Sequence, residues 1–202
     1  MGGYPAGRHP SLEHRAEWRL AHELVGEIPG DDCDAGTLSR LGRLEVLLAD
    51  YPAARANFEK ALAMRQAIGD RAGEAATFFQ LGAVADRLGR TAAGSRLVAL
   101  CCMIDKAIGH RDSDSDLRAV ASFCTKAGLD ESQVEKLLAE VAEAYKRDRG
   151  ISLIERAFSG AADDAASGPP TEAEQPQPPP RGPGLLRRLW GAIRRGGEVR
   201  GG

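Results

Sequence analysis

The sequence predicts an all-α fold assembled from repeated helix pairs, and three observations predict it. Side chains of matching size recur when the chain is shifted by 40 positions. Within each period, apolar residues recur at three- and four-residue steps, the signature of one helix face. Alanine, leucine and arginine are abundant while aromatics make up only 5%, and those three residues lose little side-chain entropy in a helix.

The matching columns are several. One reads Trp18, Phe58, Val98, Leu138; a second Ala21, Ala61, Cys101, Val141; a third Leu24, Met64, Ile104, Ala144. Ile28, Ile68 and Ile108 also align, and Gly69 and Gly109 follow the last two. In the other half of each period Leu41 aligns with Leu81, Gly42 with Gly82, and Leu48 with Leu88.

Taken in chain order, residues 11–28 align only with the second half of a period and read as a lone capping helix or the remnant of a longer array. In residues 37–48, Leu38, Leu41, Leu44 and Leu48 form one helix face. Asp50, with Pro52 close behind, suits the start of a second helix, whose stripe is Ala54, Phe58, Ala61, Leu62 and Ile68. Gly69 closes it. The next unit repeats this pattern with Phe78, Leu81, Ala85 and Leu88, a turn near residues 89–91, then Leu97, Val98, Cys101, Ile104 and Ile108.

A third unit is more degenerate. Its first helix is expected from about residue 116 to 127, closed by Gly128. Its second opens at Asp130, where Gln133 can complete a capping box, and continues through Val134, Leu137, Leu138, Val141 and Tyr145 to about Arg147. A short helix over residues 151–158 is expected to cover the far end. Gly42 and Gly82 sit inside helices, where glycine costs about 1 kcal/mol relative to alanine. The repeated cost implies a neighbouring helix crossing too closely for a β-carbon.

These residues carry a family resemblance. Leu-Gly in the first helix, Ala54, Phe58 and Ala61 in the second, and the stretches LAMRQAIGD (62–70) and AATFFQLG (75–82) resemble the tetratricopeptide repeat in its roughly 40-residue bacterial form. The resemblance covers about residues 11–150 and is strongest over 37–108. Glu45 and Ala85 depart from it where an aromatic is usual, Gly94, Val98 and Cys101 replace Ala, Phe and Ala, and Ala121–Ser122 replaces Leu-Gly. It implies a short right-handed α-solenoid of antiparallel helix pairs, with an inner surface formed by the first helices. Carried over, that groove is lined by Ser39, Arg43, Phe79, Ala83, Asp86, Phe123 and Lys126, with Phe79 and Phe123 as exposed aromatic anchors. The paired basic residues with which some members clamp a terminal carboxylate are missing.

After residue 159 the chemistry changes. Residues 159–183 are rich in Pro and Ala and are expected to be a disordered linker. In residues 184–202, Leu185, Leu186, Leu189, Trp190 and Ile193 share one helical face flanked by Arg187, Arg188, Arg194 and Arg195. An isolated helix this short is marginal in water. Three surfaces could fold it: an anionic membrane, a partner's groove, or the chain's own repeat groove. The expected division is therefore a disordered 1–10, a repeat domain over 11–158, the linker, and the basic amphipathic segment.

Function classes narrow accordingly. The formal charge of −2 argues against a general polyanion binder, and no specific nucleic-acid partner is expected. Phosphate-cradling, nucleophile-elbow and zinc-finger spacings are absent. His14 and His22 do not form a metal-binding H-E-x-x-H, and the alternating Asp112, Asp114 and Asp116 lack the glycine and distal glutamate of a calcium loop, so they read as helix-capping residues. Cys33, Cys101, Cys102 and Cys124 read as small buried hydrophobes in a reducing compartment. No stretch approaches the ~20 apolar residues needed to cross a bilayer, and the start lacks a signal peptide's apolar region. The expectation is a cytoplasmic, non-enzymatic scaffold or adaptor without cofactor or metal, binding an unidentified protein or peptide. The alternatives are a membrane-peripheral tether acting through the basic segment, or a regulatory fragment of a larger signalling or transcriptional protein.

Overall fold

The computed structural model describes residues 34–159. The N-terminal helix expected over 11–28, the linker beyond residue 159 and the basic segment over 184–202 lie outside the described residues. The described residues are all helical: α1 Ala35–Leu47, α2 Tyr51–Ile68, α3 Arg71–Arg87, α4 Thr91–Ala107, α5 Ser113–Lys126, α6 Glu131–Asp148 and α7 Ile151–Phe158. They fall into two compact units, divided after Ala61 within α2.

The 40-residue period is visible in the backbone. The second helices of successive periods open at Tyr51, Thr91 and Glu131. The turns after them use a left-handed residue at the same place each time: Gly69 (φ 74°), Gly109 (φ 69°) and Arg149 (φ 57°). Glycine adopts this conformation freely; a side chain there costs roughly 1–2 kcal/mol. Arg149 therefore departs from the repeat at some expense.

In the first unit, Asp34 opens α1, its carboxylate accepting the Thr37 N–H at 2.6 Å. Asp50 opens α2 in the same way, through the Ala53 N–H at 3.2 Å. A β-carbon on Gly42 would lie 2.7 Å from Cε1 of Phe58. As expected, the neighbouring helix comes too close for a β-carbon, here through the Phe58 ring.

In the second unit the close approach involves backbone as well. A β-carbon on Gly82 would meet Val98 Cγ2 at 2.7 Å and the Gly94 carbonyl at 3.0 Å, and one on Gly94 would meet the Gly82 carbonyl at 2.7 Å. The pair of glycines brings the backbones of α3 and α4 together, with Val98 filling less space than Phe58 does. Around this contact α4 becomes the centre of the unit, packing against α3, α5, α6 and α7. Val98, Cys101, Ile104, Leu138, Val141 and Ala144 are all buried, as are Phe58 and Ala61 at the same repeat positions. Met64, Leu48, Leu88, Ile108 and especially Ile68, at 77% exposure, are not. Apart from Met64, they stand at helix ends, where the apolar stripe runs past its neighbours.

Helix α5 starts at Ser113, three residues earlier than expected, because Asp114 and Asp116 occupy its first turn, where the helix dipole favours acids. Asp112 stands at the cap position without a side-chain cap bond, correcting that part of the capping expectation. The capping box of α6 is present, Asp130 accepting the Gln133 N–H at 2.9 Å while Gln133 accepts the Asp130 N–H at 2.8 Å.

Helix α7 does more than cover α6. It also reaches back over α4 and α3, burying Leu153, Ile154 and Ala157. Its start is so close to α3 and α4 that a β-carbon on Gly150 would lie 2.5 Å from Leu100 Cδ2 and 2.9 Å from Phe78 Cζ. At its far end the Arg90 guanidinium donates to the Ala157 carbonyl at 2.9 Å. Glu140 ties three helices, accepting from Arg96 at 2.9 Å and pairing with Arg156.

The corner between α6 and α7 is pinned by a buried acid. Glu74, in the first turn of α3, is fully buried and faces Arg149 Nη2 at 2.7 Å, Gln66 Nε2 at 3.0 Å, the Tyr145 hydroxyl at 3.2 Å and Arg71 Nε at 3.7 Å. Arg71 in turn stacks over the Tyr145 ring, 5.4 Å from its centroid. A buried carboxylate is stable only with such partners.

Candidate functional site

Of the seven groove residues expected from the resemblance, five belong to the second unit. Phe79, Ala83 and Asp86 follow one another at helical spacing along α3, and Phe123 and Lys126 lie on α5. The two helices meet on this face: Lys126 Nζ lies 2.7 Å from Asp86 Oδ2, and the Phe123 ring stands in van der Waals range of the space above Gly94. Asp86 also accepts from the Thr91 hydroxyl at 2.8 Å. Burial alone would raise the Asp86 carboxyl, but Lys126 and Thr91 outweigh it and hold the group below the ordinary carboxylate range.

Phe79 and Phe123 are half-buried, not exposed as expected. Each ring is partly covered and leaves part of its surface to solvent. Ser39 and Arg43 lie on α1 in the first unit. The Ser39 hydroxyl donates to the Ala35 carbonyl at 2.9 Å, and Arg43 is exposed.

The structure also assembles a cluster that sequence reading missed. Asp105, near the end of α4, is only 6% exposed. Its Oδ2 faces the Cys101 thiol at 3.8 Å, and its Oδ1 has no hydrogen-bond partner. Asp116 of α5 comes alongside, its Oδ2 also buried and without a partner. Burial, then the neighbouring carboxyl and charge of Asp105, push the Asp116 carboxyl well above its ordinary value. The alternating acids of residues 112–116 drew attention in the sequence, but only as caps, because Asp105 approaches from another helix.

The described cysteines are all free and buried. Burial, reinforced by the charges of Asp116 and Asp105, pushes the Cys101 thiol strongly up. Burial raises Cys102 to about 12 and Cys124 to about 11, so none is a ready nucleophile.

Among the described residues no helix is long and apolar enough to cross a membrane. Neither the curated proteins nor the solved structures give a match to this chain. The profile of the tetratricopeptide repeat family matches residues 20–93. That span contains α1, α2 and α3, and the structure continues the same 40-residue period beyond it through α6. The family is typically a non-enzymatic protein-interaction fold, which suggests a protein partner. The match, the 40-residue period and the helix pairs together support a tetratricopeptide-repeat protein.

Proposed function

We propose that the chain is a scaffold that holds a peptide segment of a protein partner against the face formed by α3 and α5. The observation that carries this reading is the Asp86–Lys126 bridge at 2.7 Å. It joins equivalent positions of successive first helices, so Phe79, Ala83 and Phe123 flank one continuous strip. Two half-exposed rings offer apolar contact without a large free patch. Lys126, at 60% side-chain exposure, keeps donors for a partner's carboxylate or carbonyl groups. Asp86 is already neutralised by its own neighbours, so the strip favours acidic or neutral segments over basic ones.

The test is affinity capture with the full chain, comparing the native protein with the double variant Phe79→Ala, Phe123→Ala. Loss of the captured partner with unchanged helical circular dichroism supports the strip as the binding face. Retained capture overturns it.

The same proposal keeps the division into a repeat domain over 11–158, a linker and a basic amphipathic segment over 184–202. Anionic-vesicle flotation of the full chain, compared with a chain ending at Pro183, tests whether that segment tethers the scaffold. Equal flotation removes the tether.

A further inference from the structure

We propose that Cys101, Asp105 and Asp116 form a binding site for a zinc-like divalent cation at the junction of α4 and α5. One ligand atom from each residue lies within 4.8 Å of the other two, close enough for small side-chain shifts to close them around one ion.

Asp105 is the reason to look for a ligand. It is more than nine-tenths buried, yet Oδ1 has no partner and Oδ2 has only a long contact with a thiol. A buried carboxyl group is normally paired or coordinates a metal. Its near neighbour is a second carboxyl group whose own inner oxygen is likewise without a partner. Two acids and a thiol facing one another repel as anions, and a dication turns that repulsion into attraction.

The donor set sets the ion class. One sulfur and two carboxylate oxygens suit zinc, or cobalt in its place, better than magnesium or calcium, which take all-oxygen sites. Three protein ligands leave a fourth position for water. Asp116 is only half-buried and gives the ion a route from solvent. Coordination releases the Cys101 thiol proton to solvent, together with any proton held between the two carboxyl groups, and the ion takes the sulfur lone pair.

The test uses the full chain, stripped with chelator, kept reduced with a phosphine and titrated with Co2+. The expected result is a thiolate-to-cobalt charge-transfer band that saturates at one equivalent and is displaced by Zn2+. Cys101→Ala removes the band, and Asp116→Asn weakens binding at least about tenfold. Cys102→Ala and Cys124→Ala keep it. Alanine at 101 is compatible with the fold, because Ala61 fills the equivalent buried position, and helical circular dichroism of each variant checks this. No band, or a band that survives Cys101→Ala and is unaffected by Asp116→Asn, overturns the proposal.

Discussion

Arg65 and Asp105 occupy the same place in successive 40-residue periods, each near the end of a second helix and facing the next first helix. At the earlier junction the guanidinium of Arg65 is fully employed. It donates to the Gly73 carbonyl at 3.0 Å and to the Thr77 hydroxyl, and lies 3.8 Å from Asp70. At the later junction the residue is an acid, and opposite it stands Asp116, another acid. One repeat position is thus a structural bolt or an unfilled demand, depending on whether the next helix supplies the opposite polarity. Glu74 shows that burial alone is not the difference, since this fully buried acid is surrounded by donors.

The contrast can be broken most forcefully at Glu74. Arg149→Ala strands a buried carboxylate that keeps only Arg71 as a nearby cation, and should cost about 3 kcal/mol in denaturant unfolding. Arg149→Gly should lose about 1 kcal/mol less, because glycine relieves the left-handed backbone. Equal losses would show that the strain is not felt.

Next in size, Arg65→Ala should cost about 2 kcal/mol by removing charge-assisted bonds to Gly73 and Thr77. The equivalent change at the other junction should have the opposite sign. In chelator, Asp105→Asn gives Asp116 an amide donor and should raise stability by about 1 kcal/mol. A clear loss there would mean that Asp105 already has a satisfactory partner. These three changes together rank the junctions by how well each buried charge is served.

The smallest effect belongs to the exposed face. Lys126→Ala should cost at most about 1 kcal/mol, since that bridge is largely solvated. Its pH dependence has a definite sign. The Asp86 carboxyl is held below its ordinary value of 3.8, so its contribution is present above that value and lost as pH falls through the depressed one. Urea midpoints measured from about pH 5 down to about pH 2 should therefore fall slightly less steeply in Lys126→Ala than in the native chain.

Much of this architecture was legible in the chain because it obeys local rules. Helix starts at Asp50 and Asp130, the stops at Gly69 and Gly109, and the recurring buried columns depend on residues a few positions apart. Even the bounds of α7 could be read in advance. Local rules misplace features where the stripe outruns its neighbours, as at Ile68, or where a polar run such as residues 113–116 enters a helix and does not cap it. The candidate groove was legible as a set of positions, while the half-burial of Phe79 and Phe123 was not, since it depends on how adjacent helices lean.

The period and the helix pairs are written in the amino-acid order, for these follow from a 3.6-residue rhythm and from caps that act within one turn. Packing of the helices is what brings Arg149 to Glu74 and sets Asp105 beside Asp116. Those pairings join residues far apart along the chain or on different helices. Their energy depends on distance and burial, which exist only once the helices have packed.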